Sequence, residues 1–141
     1  LHLSIRRQRQ MCIRDRSPHL ALVIQFLAFA LVALGYGLLS WAMLSNRFFS
    51  GVVRIQKERD HTVVTAGPYH YVRHPGYAGM ITALLATPIL LGSVLALLPA
   101  GLATCGYVLR TALEDTTLRE ELDGYEDYAE RVRYRLVPGL W

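Results

Sequence analysis

The chain has 141 residues, 52% of them apolar and 18% charged, with a mean hydropathy of +0.26. That composition allows one domain and excludes an ordinary soluble one. The formal net charge of +4 sits on basic residues that flank apolar stretches rather than alternate with aromatics. This fits the positive-inside rule and argues against nucleic-acid recognition.

Residues 1–17 open on Leu, are rich in Arg and Gln and show no apolar period. They read as a leader foreign to the fold and are assigned no function, so the domain is taken as residues 18–141. Ala28-Phe29-Ala30 imitates a signal-peptide cleavage site, but the apolar run continues to Leu44, which predicts a retained helix. Residues 20–44 exceed the roughly 30 Å of a bilayer core at about 1.5 Å per residue. Residues 78–109 carry no charge, are too long for one span and contain Pro88, Gly92, Ser93 and Pro99. Two antiparallel spans turning near Gly92 are the simpler reading. The expected fold is therefore an all-α integral membrane protein with about three transmembrane helices, two of them a tight hairpin.

Between the first span and the hairpin, Arg47, Arg54, Lys57, Arg59 and Arg73 outnumber Glu58 and Asp60, and the tail beyond Leu109 holds Arg110, Arg119, Arg131, Arg133 and Arg135. Both segments are expected on the cytoplasmic side. Arg6, Arg7, Arg9, Arg14 and Arg16 would then stand on the wrong side, so either the leader is not native or upstream spans are missing. Within the loop, residues 60–65 are β-branched and end at Ala66-Gly67-Pro68, predicting extended backbone and then a turn. Pro75 suits the first turn of a new helix. Residues 107–122 contain no Gly or Pro, pair Arg110 with Glu114 at i, i+4, and predict a helix leaving the membrane unbroken. Gly124 ends it, and Tyr125, Tyr128 and Val132 recur at helical spacing in a short amphipathic helix. Trp141 suits an interfacial aromatic anchor.

The chemistry concentrates in residues 67–77, where two prolines, two glycines, three tyrosines, two histidines and an arginine occupy one turn at the hairpin mouth. The hairpin returns residues 114–121 to the same membrane face. Glu120 and Glu121 are expected to face Arg73 and His74, and such a pocket, carrying both signs of charge, suits a zwitterionic ligand. The one His-x-x-x-His spacing, His70 to His74, falls in a proline-bounded turn rather than on a helix, and Cys12 and Cys105 form no Cys-x-x-Cys, so neither a metal site nor a disulfide is expected. There is no glycine-rich phosphate loop and no Gly-x-Ser-x-Gly elbow.

The order Val52-Val53, His61-Thr62-Val63-Val64-Thr65, Gly67-x-Tyr69-x-x-x-Arg73-His74-Pro75-x-Tyr77-x-Gly79, Glu120-Glu121, Tyr125-x-x-Tyr128, Arg131-Val132 and Pro138 resembles the isoprenylcysteine carboxyl methyltransferase family and its phospholipid methyltransferase relatives. The resemblance covers residues 46–141, a methyltransferase-like core. It implies S-adenosylmethionine as cofactor, in a pocket made by the cytoplasmic loop and the C-terminal amphipathic helix. Carried over by position, the cofactor residues would be Arg54, His61, Thr62, Val63, Val64, Tyr69, His74, Pro75, Gly76, Tyr77 and Glu120. Arg73, His74 and Glu121 would be catalytic: Arg73 shapes the pocket, and His74 or Glu121 takes a proton if the acceptor is an amine. Arg54 stands where some members have Gln, and Thr116 where an arginine for the substrate carboxylate is expected. The implied acceptor is lipidic, foremost the carboxylate of an isoprenylcysteine. Phospholipid amine methylation, an NADPH-dependent sterol-type reductase and a non-catalytic membrane protein are the alternatives.

Overall fold

The computed structural model describes residues 22–50 and 62–141, and all regular structure among them is helical. Helix α1 spans Leu22–Ser45, α2 Pro75–Leu90, α3 Leu97–Glu121 and α4 Tyr125–Arg131. A 3-10 turn, Gly67–His70, lies between α1 and α2. Among the described residues α1 alone is long and apolar enough by itself to cross a membrane. Most of its large side chains, Phe26, Leu27, Leu34 and Leu44 among them, face outward.

Local chemistry sets the boundaries. Pro75 starts α2 at the first helical position, and His74 before it is non-helical with φ −126° and ψ 60°, as the ring of a following proline requires. Pro88 lies inside the last turn of α2, after which Gly92 takes φ 65° and Ser93 N–H bonds the Pro88 carbonyl at 2.9 Å. A short connection then starts α3 in the opposite direction. The threonines in the apolar parts satisfy themselves: Thr82, Thr87 and Thr104 each donate to the carbonyl four residues earlier at 2.7–2.8 Å, which removes the cost of a bare hydroxyl in an apolar medium. Gly124, with φ 80°, separates α3 from α4.

The small residues of α2 face α1. A Cβ on Gly79 would stand 2.5 Å from the Gly35 carbonyl oxygen, and one on Gly35 would stand 2.6 Å from that of Gly79. The two backbones touch, as small residues permit between membrane helices. Gly101 and Gly106 of α3 have no such neighbour among the described residues. The end of α1 also seats the 3-10 turn, because a side chain on Gly67 (φ 60°) would strike the Ser45 hydroxyl and crowd Trp41 Nε1.

On the polar side, Leu122, Tyr125, Tyr128 and Ala129 form a buried cluster against Val63, Leu118 and Val132. The amphipathic spacing of Tyr125 and Tyr128 thus describes the inward face of α4. The chain beyond α4 folds back on the start of α2: Arg73 N–H bonds the Tyr134 carbonyl and His74 N–H that of Arg135, both at 2.9 Å. Trp141 places its ring 5.0 Å from the Arg135 guanidinium.

Candidate active site

Asp115, fully buried on the polar half of α3, is the point on which this end of the molecule converges. Arg73 grips it with Nε on Oδ1 at 2.7 Å and Nη2 on Oδ2 at 3.0 Å. Arg135 Nε reaches Oδ2 at 2.9 Å and Arg119 Nε at 3.3 Å. Tyr125 donates its hydroxyl to Oδ1 at 3.0 Å, and His74 Nε2 stands 3.2 Å from the same oxygen. The remaining nitrogen of Arg73, Nη1, donates to the carbonyls of Val132 and Arg133 at 2.7 and 2.9 Å. Burial pushes the Asp115 carboxyl upward, but hydrogen bonds from His74, Arg73 and Arg135 outweigh it and hold the group well below the usual carboxylate range. Burial, and after it the Asp115 charge, pushes the Tyr125 phenol up, so it stays a donor. Burial opposes charge on Arg73, yet Asp115 makes it more firmly cationic than a free guanidinium.

Beside this hub lies a cavity of about 320 Å³. From α1 and the residues after it come Leu39, Met43, Asn46, Phe48 and Phe49, and from the loop Thr62, Val63, Val64 and Tyr69. Helix α2 adds Gly76, Tyr77 and Met80; α3 adds Tyr107, Arg110, Glu114, Thr117 and Leu118; Tyr125 and Tyr128 close it from α4. Leu39, Met43, Phe48, Phe49 and Met80 are apolar parts of this lining. The lining also carries a chain of polar groups in which Arg110 Nε donates to the Tyr77 hydroxyl at 2.8 Å and that hydroxyl donates to Glu114 Oε2 at 2.7 Å. The Tyr77 ring stacks near His74, centroids 6.1 Å apart, and Tyr107 lies 5.8 Å away on α3.

Thr62, Val63, Val64, Tyr69, Arg73, His74, Gly76 and Tyr77 therefore meet at one cavity. Pro75 is buried beside them without lining it. Arg54 and His61 lie outside the described residues. Glu120 and Glu121 are both exposed, and neither lines the cavity, where Glu114 is the carboxylate among the described residues. The reason is helical geometry. Glu121 follows Glu114 by two turns, which places it about 10 Å further along the axis, and Glu120 points to another side. Thr116 is exposed and bonds the Ala112 carbonyl, while Arg110 and Arg73 are the arginines that line the cavity. Tyr107, Arg110, Glu114 and Leu118 recur at three- and four-residue steps, a face legible in the sequence through its Arg110–Glu114 pair. Asp115 offered no comparable signal.

A family model described as the isoprenylcysteine carboxyl methyltransferase (ICMT) family matches residues 26–120. The protein-S-isoprenylcysteine O-methyltransferase of Schizosaccharomyces pombe is 35% identical over 113 residues, covering 78% of this chain and 48% of that protein. That of Saccharomyces cerevisiae is 37% identical over 93 residues, covering 65% and 37%. The solved structure of the eukaryotic intramembrane Ras methyltransferase ICMT superposes with a TM-score of 0.72 at 28% identity, covering 83% of this chain and 43% of that one. The chain thus spans about half the length, or less, of these relatives. Within that span the matches are concordant in sequence and in fold, and this chain belongs to the isoprenylcysteine carboxyl methyltransferase family.

Proposed function

We propose that the protein transfers a methyl group from S-adenosylmethionine to the carboxylate of a prenylated, isoprenylcysteine-like acceptor at the membrane surface. The observation that carries this reading is a cavity that combines apolar side chains with a polar relay in which Tyr77 joins Arg110 to Glu114. The family assignment favours methyl transfer over the reductase and non-catalytic alternatives.

The donor set fits the cofactor. S-adenosylmethionine brings an ammonium, a carboxylate and a sulfonium-borne methyl group, and the cavity offers Glu114 for positive charge, the Tyr69 hydroxyl for an acceptor atom, and tyrosine rings for an apolar or cationic face. Thr62, Val63, Val64, Tyr69, Gly76, Tyr77 and Glu114 would hold it. Arg110 would orient the acceptor carboxylate, and Leu39, Met43, Phe49 and Met80 would take the start of its lipid chain. A carboxylate is ionised at neutral pH and needs no general base, so the protein's work is alignment and exclusion of water. An amine acceptor would need a base. His74 Nε2 already faces Asp115 at 3.2 Å and the Tyr125 hydroxyl at 3.4 Å inside the buried hub, which disfavours phospholipid amine methylation.

In this reading α1, α2 and the apolar first half of α3 lie in the bilayer, the hub and cavity mouth face the cytoplasm, and the arginine-rich loop and tail support that orientation. Residues 18–141 then act as a single membrane domain, to which α1 contributes cavity wall. The test is to follow tritiated methyl from the cofactor in nanodisc-embedded protein given a prenylated cysteine analogue. Base-labile ester counts are expected. Label in phospholipid amine instead, or in neither fraction, would overturn the proposal.

A further inference from the structure

Asn46 follows α1 and lines the cavity without belonging to the buried hub, and it touches three other parts of the cavity wall. Its side-chain oxygen accepts the Phe48 N–H at 2.9 Å, and its backbone carbonyl accepts that of Phe49 at 3.0 Å. These two bonds turn the chain so that Phe48 is buried and Phe49 meets Gly76, where an added Cβ would stand 2.7 Å from the ring. Its side-chain nitrogen, Nδ2, lies 3.3 Å from the Tyr69 hydroxyl.

The direction of that last bond is fixed by the first. Only the amide oxygen can accept the Phe48 N–H, so the amide nitrogen must face Tyr69, and an amide nitrogen can only donate. The Tyr69 oxygen is thereby the acceptor, and its own proton is directed elsewhere. Tyr69 is buried and held from behind, its carbonyl accepting the Tyr128 hydroxyl at 2.7 Å. Its hydroxyl group stands at the cavity with Glu114 as the nearby carboxylate.

We propose that Asn46 is a positioning residue that makes Tyr69 a hydrogen-bond donor toward the cavity, where it meets an acceptor atom of the bound cofactor. This rests on reading the cavity as a cofactor site. Burial, with Glu114 adding to it and the Asn46 amide opposing, leaves the phenol above its ordinary pKa, so the proton is present throughout the neutral range. The end of a membrane helix thus sets the polarity of a hydroxyl on the turn packed against it.

Asn46→Asp separates this role from a structural one. A carboxylate oxygen still accepts the Phe48 N–H, so the turn survives, but the other oxygen now accepts the Tyr69 proton and turns it away from the cavity. Two measurements on the full chain in nanodiscs test the idea. With 3-fluorotyrosine at position 69, followed by fluorine NMR, Asn46→Asp is expected to raise the phenol titration by about one unit. By calorimetry, Asn46→Asp and Tyr69→Phe should each weaken S-adenosylmethionine binding about fivefold to tenfold, and the double variant no more than the worse single one. An unmoved titration, or additive losses, would overturn the proposal. If the unmodified chain binds no S-adenosylmethionine while the titration still moves, the cofactor reading fails and the Asn46–Tyr69 relationship stands. If Asn46→Asp does not fold, Asn46→Ala, which removes the donor without adding a charge, should also raise the phenol titration, and an unmoved value there counts against the proposal equally.

Discussion

Arg73 and Asp115 lie 42 positions apart and meet inside the protein through two parallel hydrogen bonds, Nε to Oδ1 at 2.7 Å and Nη2 to Oδ2 at 3.0 Å. They can meet because the hairpin reverses the chain between them. Both are desolvated, Arg73 at 4% exposure and Asp115 at 0%, so neither charge tolerates loss of the other. Arg119 and Arg135 share the same carboxylate. Asp115→Ala is therefore expected to leave guanidinium groups uncompensated and to cost about 3–5 kcal/mol of stability. Chemical denaturation in detergent checks this. Arg73→Lys should lose most of the same stability, because an ammonium cannot reproduce the two-pronged contact.

Acid stability follows from the same carboxylate. Its pKa is lower folded than unfolded, so it binds its proton more readily in the unfolded chain. The stabilisation is complete above the ordinary aspartate value of about 3.9 and is lost as pH falls through the lower folded value. Unfolding midpoints measured from pH 7 downward should show no loss from this group until below about pH 4. Asp115→Asn, less stable throughout, should show a flatter acid limb. An equally steep limb in the variant would mean that other carboxylates control acid unfolding.

What was legible in the sequence is what backbone chemistry dictates. Pro75, Gly92 and Gly124 mark helix boundaries because their ring or missing Cβ permits few alternatives there. The uncharged run from 78 to 109 forces a reversal that carries the start of α2 to the far half of α3. The identity of the cavity carboxylate was less accessible. Glu114 and Glu121 lie on one helix face two turns apart, and only the depth at which Tyr77 docks against α3 selects the first. The contact of α1 with α2 was harder still, since Gly79 and Ala83 fit a hairpin interface as well as the α1 interface they form.

That contact yields a prediction with an internal control. Gly79→Ala would press a methyl group into the Gly35 carbonyl at 2.5 Å and the Leu39 N at 2.8 Å, both of them backbone atoms unable to swing aside. Separation of α1 from α2 should cost about 1–3 kcal/mol or more, and should loosen the cavity wall at Leu39 and Gly76. Gly101→Ala, on α3 with nothing described within 4 Å, should be neutral or stabilise by about 0.5–1 kcal/mol through helix propensity. Thermal unfolding of the two variants in one detergent reads the difference. Equal effects would remove the close approach from the account.

The Arg110–Tyr77–Glu114 relay gives the prediction that bears most directly on function. Tyr77 both accepts from Arg110 and donates to Glu114, so its hydroxyl fixes the separation of the two charges. Glu114→Gln should weaken S-adenosylmethionine binding by about tenfold, whereas Glu120→Gln and Glu121→Gln, on the exposed end of α3, should change it less than about twofold. Arg110→Ala should act differently, raising KM for the prenylated acceptor by about tenfold or more while cofactor affinity changes little. Tyr77→Phe removes the spacer and should lower kcat with a smaller effect on either binding constant, because alignment rather than charge is lost. Cofactor calorimetry beside steady-state kinetics for the same five variants decides it. A tenfold loss of cofactor affinity on Glu120→Gln, with Glu114→Gln silent, would move the carboxylate role to the end of α3 and require a cavity arranged differently from this one.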